Sequence, residues 1–377
     1  MPQVHAVWPR HAMTRASALC LAVALACAGH AAHAQRTYTV TTLDGAFDKA
    51  VQLDPANRAQ GNRSRYSLKG PEGQLSPTGG YVARSASWAA STATAQQPVS
   101  AFALASQWAT LKVSDNGQWL ALKDTNNRTF GRSQSGRARA LASGQGFSPN
   151  YRVWAINNIG DMVGHTGAVN SAYQGAYEAL WWQNGVSQVL PVAPGVGGWA
   201  LDINNLGHIG GAIQILSGTS PNDTQAPLVA RAAVWKAGAL SWVADPAVFG
   251  APSRVLHIND AGTLVVEGQQ DGWTTLFQVS PAGQVQALTQ RQTAPYPHDM
   301  NAAGVVVGQA GNRAVMWVQG QQIDLAQHLA AKGVSAVASW RLMSVLDIND
   351  QGSMVVLYAL PGDAFGVERK ARFTAVP

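Results

Sequence analysis

Beyond residue 36 the chain alternates short apolar runs with polar turn clusters, and one phrase punctuates the alternation. An apolar residue, Asn, two further residues and Gly precede a β-rich run. The phrase stands at Ile156-Asn157-Asn158-Ile159-Gly160, Ile203-Asn204-Asn205-Leu206-Gly207 and Ile258-Asn259-Asp260-Ala261-Gly262. It returns at Met300-Asn301-Ala302-Ala303-Gly304 and Ile348-Asn349-Asp350-Gln351-Gly352. Two degenerate copies, Leu75-Ser76-Pro77-Thr78-Gly79 and Val113-Ser114-Asp115-Asn116-Gly117, carry Ser in place of Asn. The seven marks are 38 to 55 residues apart, the spacing of a repeat architecture.

The phrase has a mechanical meaning. Asn or Ser followed three residues later by Gly suits a type I turn whose fourth residue takes positive φ. The Asn side chain can bond the backbone two residues on, and Gly supplies the left-handed position without a Cβ penalty. Asn157, Gly160, Asn204, Gly207, Asn259, Gly262, Asn301, Gly304, Asn349 and Gly352 are therefore expected to build turns between two strands.

A second phrase follows: Ala179-Leu180-Trp181-Trp182, Ala232-Ala233-Val234-Trp235 and Ala314-Val315-Met316-Trp317. Short turns such as Gln183-Asn184-Gly185 and Lys236-Ala237-Gly238 then lead to a fourth strand. Each unit thus reads as four antiparallel strands, the size of a propeller blade. The fold expected is all-β: a β-propeller of seven four-stranded blades, spanning 35–377 as one domain. Six blades, with the region before residue 110 outside the ring, is the alternative count. The last unit is one strand short, and Thr37 to Leu43 is a strand with no unit of its own. Pairing it with Ala371 to Val376 would close the ring and cover two open edges.

Large aromatics suit the wedge between stacked sheets, so Trp182, Trp235 and Trp317 are expected in the core. Trp154 and Trp199 precede the Asn turns, where a rim position would let them stack on a ligand.

Composition narrows the class. Of 377 residues, 46% are hydrophobic and only 12% charged, which excludes global disorder and a coiled coil. The 38 glycines fit a turn-rich fold. At the start, Arg10 and Arg15 precede the apolar run Leu19 to Ala28, and Ala32-His33-Ala34 offers a small-x-small cleavage site. Residues 1–34 are thus expected to be a secretory signal peptide, with export to the periplasm or beyond. The run is too short to span a membrane, and no later segment is apolar enough to do so. Cys20 and Cys27 would leave with the signal, so stability must come from packing. The formal charge of +6 is scattered, without the basic stripe a nucleic acid would need.

Signals for chemistry are sparse. His165, His208, His257, His298 and His328 form no close metal-ligand pair, although His208, His257 and His298 fall near turns of different units. Asp202, Asp299 and Asp347 each sit two before a turn Asn, so each should share its strand face. They are candidates to line a central channel, with His257 at the same place. The calcium-loop pattern begun at Asp202 and Asp347 fails at its twelfth position. No nucleophile elbow is present, and Gly195-Val196-Gly197-Gly198 has no strand-to-helix context for a nucleotide. Paired carboxylates for glycoside hydrolysis would come from different blades, beyond the reach of spacing.

Taken together, the two phrases resemble the HAF-repeat family of probable extracellular proteins. That family carries a His-Ala-Phe triplet and Ala-x-x-Ile-Asn-x-x-Gly-x-x-x-Gly in each repeat. Ile156 to Gly164 fits best; in the triplet, Glu178, Arg231 and Arg313 replace His. The resemblance implies export and a propeller-like fold, and it brings no catalytic residues. The functional expectation is a monomeric, non-enzymatic, exported propeller whose loops bind a glycan, a peptide or an envelope protein. It would need no cofactor and no metal. Trp154, Trp199, Asp202, His257, Asp299 and Asp347 are its candidate ligand-binding residues. The alternative is a glycan-active enzyme with its site in the central funnel.

Overall fold

The computed structural model describes residues 37–42, 49–53, 59–63, 84–88, 109–114, 116, 118–123, 129–133, 139–141, 151–166, 176–193, 195–217, 227–288, 295–363 and 368–376. The expected signal segment 1–34 and the Ser76 phrase lie outside them.

The described strands form seven antiparallel sheets in chain order. Sheet 1 is β2 (Lys49–Leu53), β3 (Ala59–Arg63) and β4 (Arg84–Trp88). Sheet 2 is β5 (Ala109–Val113), β6 (Trp119–Lys123), β7 (Thr129–Ser133) and β8 (Arg139–Ala140). Sheet 3 is β9 (Tyr151–Ile156), β10 (Met162–Thr166), β11 (Ala179–Gln183) and β12 (Val186–Val189). Sheet 4 is β13 (Gly197–Ile203), β14 (Ile209–Leu216), β15 (Leu228–Lys236) and β16 (Ala239–Val243). Sheet 5 is β17 (Arg254–Ile258), β18 (Leu264–Gln270), β19 (Trp273–Val279) and β20 (Val285–Ala287). Sheet 6 is β21 (Pro295–Met300), β22 (Val306–Ala310), β23 (Arg313–Val318) and β24 (Gln321–Asp324). Sheet 7 is β25 (Arg341–Ile348), β26 (Met354–Ala359) and β27 (Arg369–Val376), with β1 (Thr37–Thr42) as its fourth strand. The pairing of β1 with β27 runs from Thr37 opposite Val376 to Thr42 opposite Ala371.

Middle strands are buried on both faces and read as unbroken apolar runs. All of Met162, Val163 and Gly164 in β10 are buried, whereas Val285, Gln286 and Ala287 of the outer strand β20 are exposed. The first strand of each sheet leans on a neighbouring sheet: β9 on β6, β13 on β10, β17 on β14, β25 on β22 and β2 on β25. Apolar layers fill these seams. Val163, Trp181, Ile203, Ile209 and Trp235 join sheets 3 and 4, and Tyr38 of β1 enters the layer with Val345, Met354 and Phe373. Trp182, Trp235 and Trp317 are at most 1% exposed, so they are core.

The five Asn turns share one geometry. Asn157 N–H bonds the Asp161 carbonyl four residues on, and Gly160 N–H returns to the Asn157 carbonyl. Gly160, Gly207, Gly262, Gly304 and Gly352 have φ between 74° and 90°, so the expectation of left-handed glycine holds at each. Leu53 faces Ala59 across β2 and β3 as Ile156 faces Met162, and β3 pairs with β4. Three strands, not four, are described in that sheet.

Candidate functional site

Each inner strand from sheet 2 to sheet 7 carries a one-residue irregularity at the same place. The extra residue is Leu111 in β5, Trp154 in β9, Leu201 in β13, Leu256 in β17, His298 in β21 and Leu346 in β25. A bulge bends the strand and re-aims a side chain. The next residue is Lys112, Ala155, Asp202, His257, Asp299 or Asp347, and the turn Ser or Asn stands two further on.

These positions converge. A cavity of about 480 Å³ is walled by Lys112, Trp154, Asp202, His257, His298, Asp299 and Asp347, with Asn158, Asn205, Asp260 and Asp350 from the turns. Asp202, His257, Asp299, Asp347 and Trp154, separate in sequence, thus meet at one site. Trp199 and His208 do not line it. Lys112 was missed because its repeat copy is degenerate, and the turn residues because they were read as purely structural.

The deep carboxylates are held by backbone. Asp202 Oδ1 accepts the N–H of Ile203 at 2.9 Å, and its Oδ2 accepts the N–H of Ile258, in the next sheet, at 2.8 Å. Asp299 repeats this with Met300 at 2.8 Å and Ile348 at 2.9 Å. The turn Asn residues do the same one step along. Asn157 Nδ2 donates to the Asn204 carbonyl at 3.1 Å, Asn204 to Asn259 at 2.9 Å, Asn259 to Asn301 at 3.2 Å and Asn301 to Asn349 at 3.3 Å. A ladder of amides therefore runs from sheet 3 to sheet 7. Outside it, Asn158 N–H reaches Asn205 Oδ1, Asn205 N–H reaches Asp260 Oδ1 and Ala302 N–H reaches Asp350 Oδ1.

Burial sets the charge states. It raises Asp202 to about 6, against the pull of the Ile258 and Ile203 N–H groups. Burial also raises Asp299, opposed by His257, by the Ile348 and Met300 N–H groups and by a hydrogen bond to Asp347. His257 lies 3.8 Å from Asp202, and burial lowers it against the attraction of Asp299. His298 falls to about 4, chiefly through burial, then through His257 and Lys112. Its Nε2 is buried without a hydrogen-bond partner among the described residues. At neutral pH the imidazoles are thus neutral, and Lys112 lines the same wall. Among the described residues no group of three or more His, Cys, Asp or Glu is placed to hold a metal ion, and no helix is long and apolar enough to cross a membrane.

An aromatic run leaves the cavity mouth. Trp154, 38% exposed, lies 6.1 Å from His165 at an interplanar angle of 30°. His165 meets Tyr177 edge-on at 4.9 Å and 73°, and Tyr177 meets Trp199 at 5.8 Å and 84°.

No family's sequence profile matches the chain, and no characterised protein matches it in sequence. Solved structures resemble it in shape. The β-propeller domain of the Trilobed protease from Pyrococcus furiosus, described as having an open velcro topology, superposes with a TM-score of 0.53 at 6% identity, over 88% of this chain and 94% of that one. A chain of the mitotic checkpoint complex gives 0.48 at 10% identity, over 91% and 95%. Puromycin hydrolase gives 0.48 at 13%, over 92% of this chain and 53% of the hydrolase. At 6% identity the likeness to the Trilobed protease domain extends to the fold alone, and that fold is a β-propeller.

Proposed function

We propose that this chain is an exported, non-enzymatic β-propeller of seven blades, closed by β1 on β27, that binds a polar ligand at the funnel where the bulges converge. The ligand class is a glycan, a peptide or an envelope protein presenting one. Inter-sheet contacts from β2 around to β25 and the β1–β27 register support seven units. The signal-like residues 1–34 and the HAF-like phrases support export.

One observation carries the binding reading over the catalytic one. Asp202 and Asp299 each engage both oxygens with backbone N–H groups of two sheets. A general acid or base needs an oxygen able to turn towards the substrate's proton, and these are pinned from two sides. These carboxylates hold the blades in register, and the exposed groups at the mouth, Trp154 above all, are left for a ligand. Glycan and peptide arrays probed with the purified chain test the reading. Retention on a defined ligand, lost in Trp154→Ala, is expected; turnover of a glycoside or peptide substrate, abolished in Asp299→Asn, would overturn it.

A further inference from the structure

The geometry points to a carbohydrate subsite along Trp154, His165, Tyr177 and Trp199, one that takes a short, linear, uncharged oligosaccharide leading out of the funnel. The inference rests on the funnel-binding reading and names its ligand class.

The rings differ in orientation in a useful way. Trp154 and His165 are inclined by 30° with centroids 6.1 Å apart, and Trp154, 38% exposed, offers a platform beside the cavity. Tyr177 stands nearly perpendicular to both His165 and Trp199, a wall between that platform and a second indole. A sugar ring has a face of polarised C–H groups and a rim of hydroxyls. The face suits the negative face of an aromatic ring, and the rim needs donors and acceptors at the platform's edge. Tyr177 supplies a phenol there. The amide of Asn158 and the Lys112 ammonium line the inner end.

The His165 ring and the Tyr177 backbone are held before any ligand arrives. The His165 Nδ1–H is turned onto the Thr166 carbonyl, and burial lowers its pKa, so the ring is neutral and its face carries no cation. Tyr177 is held by backbone: its N–H donates to Gln214 Oε1 at 2.8 Å, and its carbonyl accepts from Gly198 at 2.7 Å. The Gly197-Gly198 pair finds its purpose here. A Cβ on Gly197 would stand 2.8 Å from the Tyr177 carbonyl and 2.7 Å from Gln214 Oε1. The glycine lets the Tyr177 segment lie against β13, next to Trp199. Prefixed rings lose little entropy when a ligand settles.

A peptide fits the surface less well. A strand-like or helical peptide takes affinity from an added strand or an apolar groove. The wall of the funnel is dominated by Asp, Asn, His and Lys side chains. A sugar chain needs only ring faces and polar rims, and both are present.

The test titrates the purified chain with neutral di- to hexasaccharides of glucose, mannose and N-acetylglucosamine, followed by tryptophan fluorescence and calorimetry. Binding should tighten with chain length. Trp154→Ala and Trp199→Ala should each weaken it about tenfold, and Tyr177→Phe, which keeps the ring, by several-fold. Unchanged melting points certify folded variants; if Trp199→Ala unfolds, Trp199→Phe replaces it. Saccharide binding that ignores all three substitutions overturns the track while leaving the funnel reading standing. Binding of peptides but no saccharide overturns the carbohydrate assignment alone. Absence of binding to either class overturns both.

Discussion

Replacing Asn259 by Ala separates two roles for the repeated turn. If Asn only pinned its own turn, the loss would be one local bond, about 1 kcal/mol. The structure gives it two tasks. Asn259 is 7% exposed. Its Oδ1 accepts the Thr263 N–H at 2.9 Å, and its Nδ2 donates to the carbonyls of Asn301 and Ala302, both at 3.2 Å, in sheet 6. Alanine leaves the backbone bonds of the turn, Asn259 N–H to Thr263 O and Gly262 N–H to Asn259 O, so the hairpin persists. It leaves the half-buried Thr263 N–H without its acceptor and takes the inter-sheet partner from the Asn301 carbonyl, which keeps the Gly304 N–H. The unmade N–H bond costs about 1–3 kcal/mol and the lost second bond to the carbonyl about 1 kcal/mol, so the sum is about 2–4 kcal/mol. Urea unfolding should show a lowered midpoint at constant slope. Asn259→Asp sharpens the test: it keeps the Thr263 acceptor but turns a carboxylate oxygen towards two carbonyls. At pH 7 it should cost at least as much as alanine. An Asp variant as stable as the parent, or an alanine loss below about 1 kcal/mol, would refute the inter-sheet role.

Three further outcomes follow from the same geometry. Gly207→Ala meets nothing within 4 Å but has φ +74°, a strain of about 1–2 kcal/mol; Gly160→Ala adds a Cβ 2.5 Å from the Trp119 ring, so its melting point should fall clearly further. Deleting residues 35–42 removes β1, frees the edge of β27 and takes Tyr38 from its core layer; the melting point should drop by roughly 10 °C or more, and an unchanged melt would contradict a structural role for β1. His298 is depressed to about 4 from 6.5, so the unfolded chain binds more protons between those values: its contribution is full above pH 6.5 and is lost as pH falls towards 4. His298→Asn should therefore flatten the fall in melting point between pH 7 and 4.5, and an equally steep fall would remove His298 as a cause.

Much of the architecture was legible because turn chemistry is local. The Asn-x-x-Gly phrase states a backbone conformation in four residues, and five copies fold as read. The alternation rule also worked across it. Asp202 and Asn204, two apart, both reach the next sheet, at Ile258 and Asn259. What the sequence hides is the bulge. It inserts one residue into the inner strand without changing its composition, so Leu201 and His298 look like ordinary alternating positions. Nor does spacing reveal that Asp202 bonds an N–H 56 positions away, since blade lengths vary. Trp199 shows the limit from the other side. It too stands just ahead of a turn Asn, yet it lies before the bulge, one pairing beyond Ala200. It therefore faces Tyr177 instead of the funnel.

The degenerate copy at Ser114 explains what the repeat must retain. Serine is too short to accept within its turn and also span to the next sheet. Its hydroxyl accepts the Trp119 N–H at 3.0 Å and donates to Asn116 Oδ1 at 2.7 Å, which covers the local task. Asn116 then performs the distant one: its Nδ2 donates to the Asn158 carbonyl at 3.1 Å, and its N–H to Asn158 Oδ1 at 2.8 Å. The turn is one residue longer, closing from Ser114 N–H to the Trp119 carbonyl where Asn157 closes to Asp161. That extra residue gives Asn116 the reach. Two residues thus divide what one Asn does elsewhere, and the seam between sheets 2 and 3 keeps a bond of the same kind as the others. From sheet 2 to sheet 7 the sheets are therefore coupled by a requirement on atoms, a carbonyl acceptor and an amide donor facing across each seam. A turn that lacks the consensus Asn still meets it when a neighbour supplies the amide.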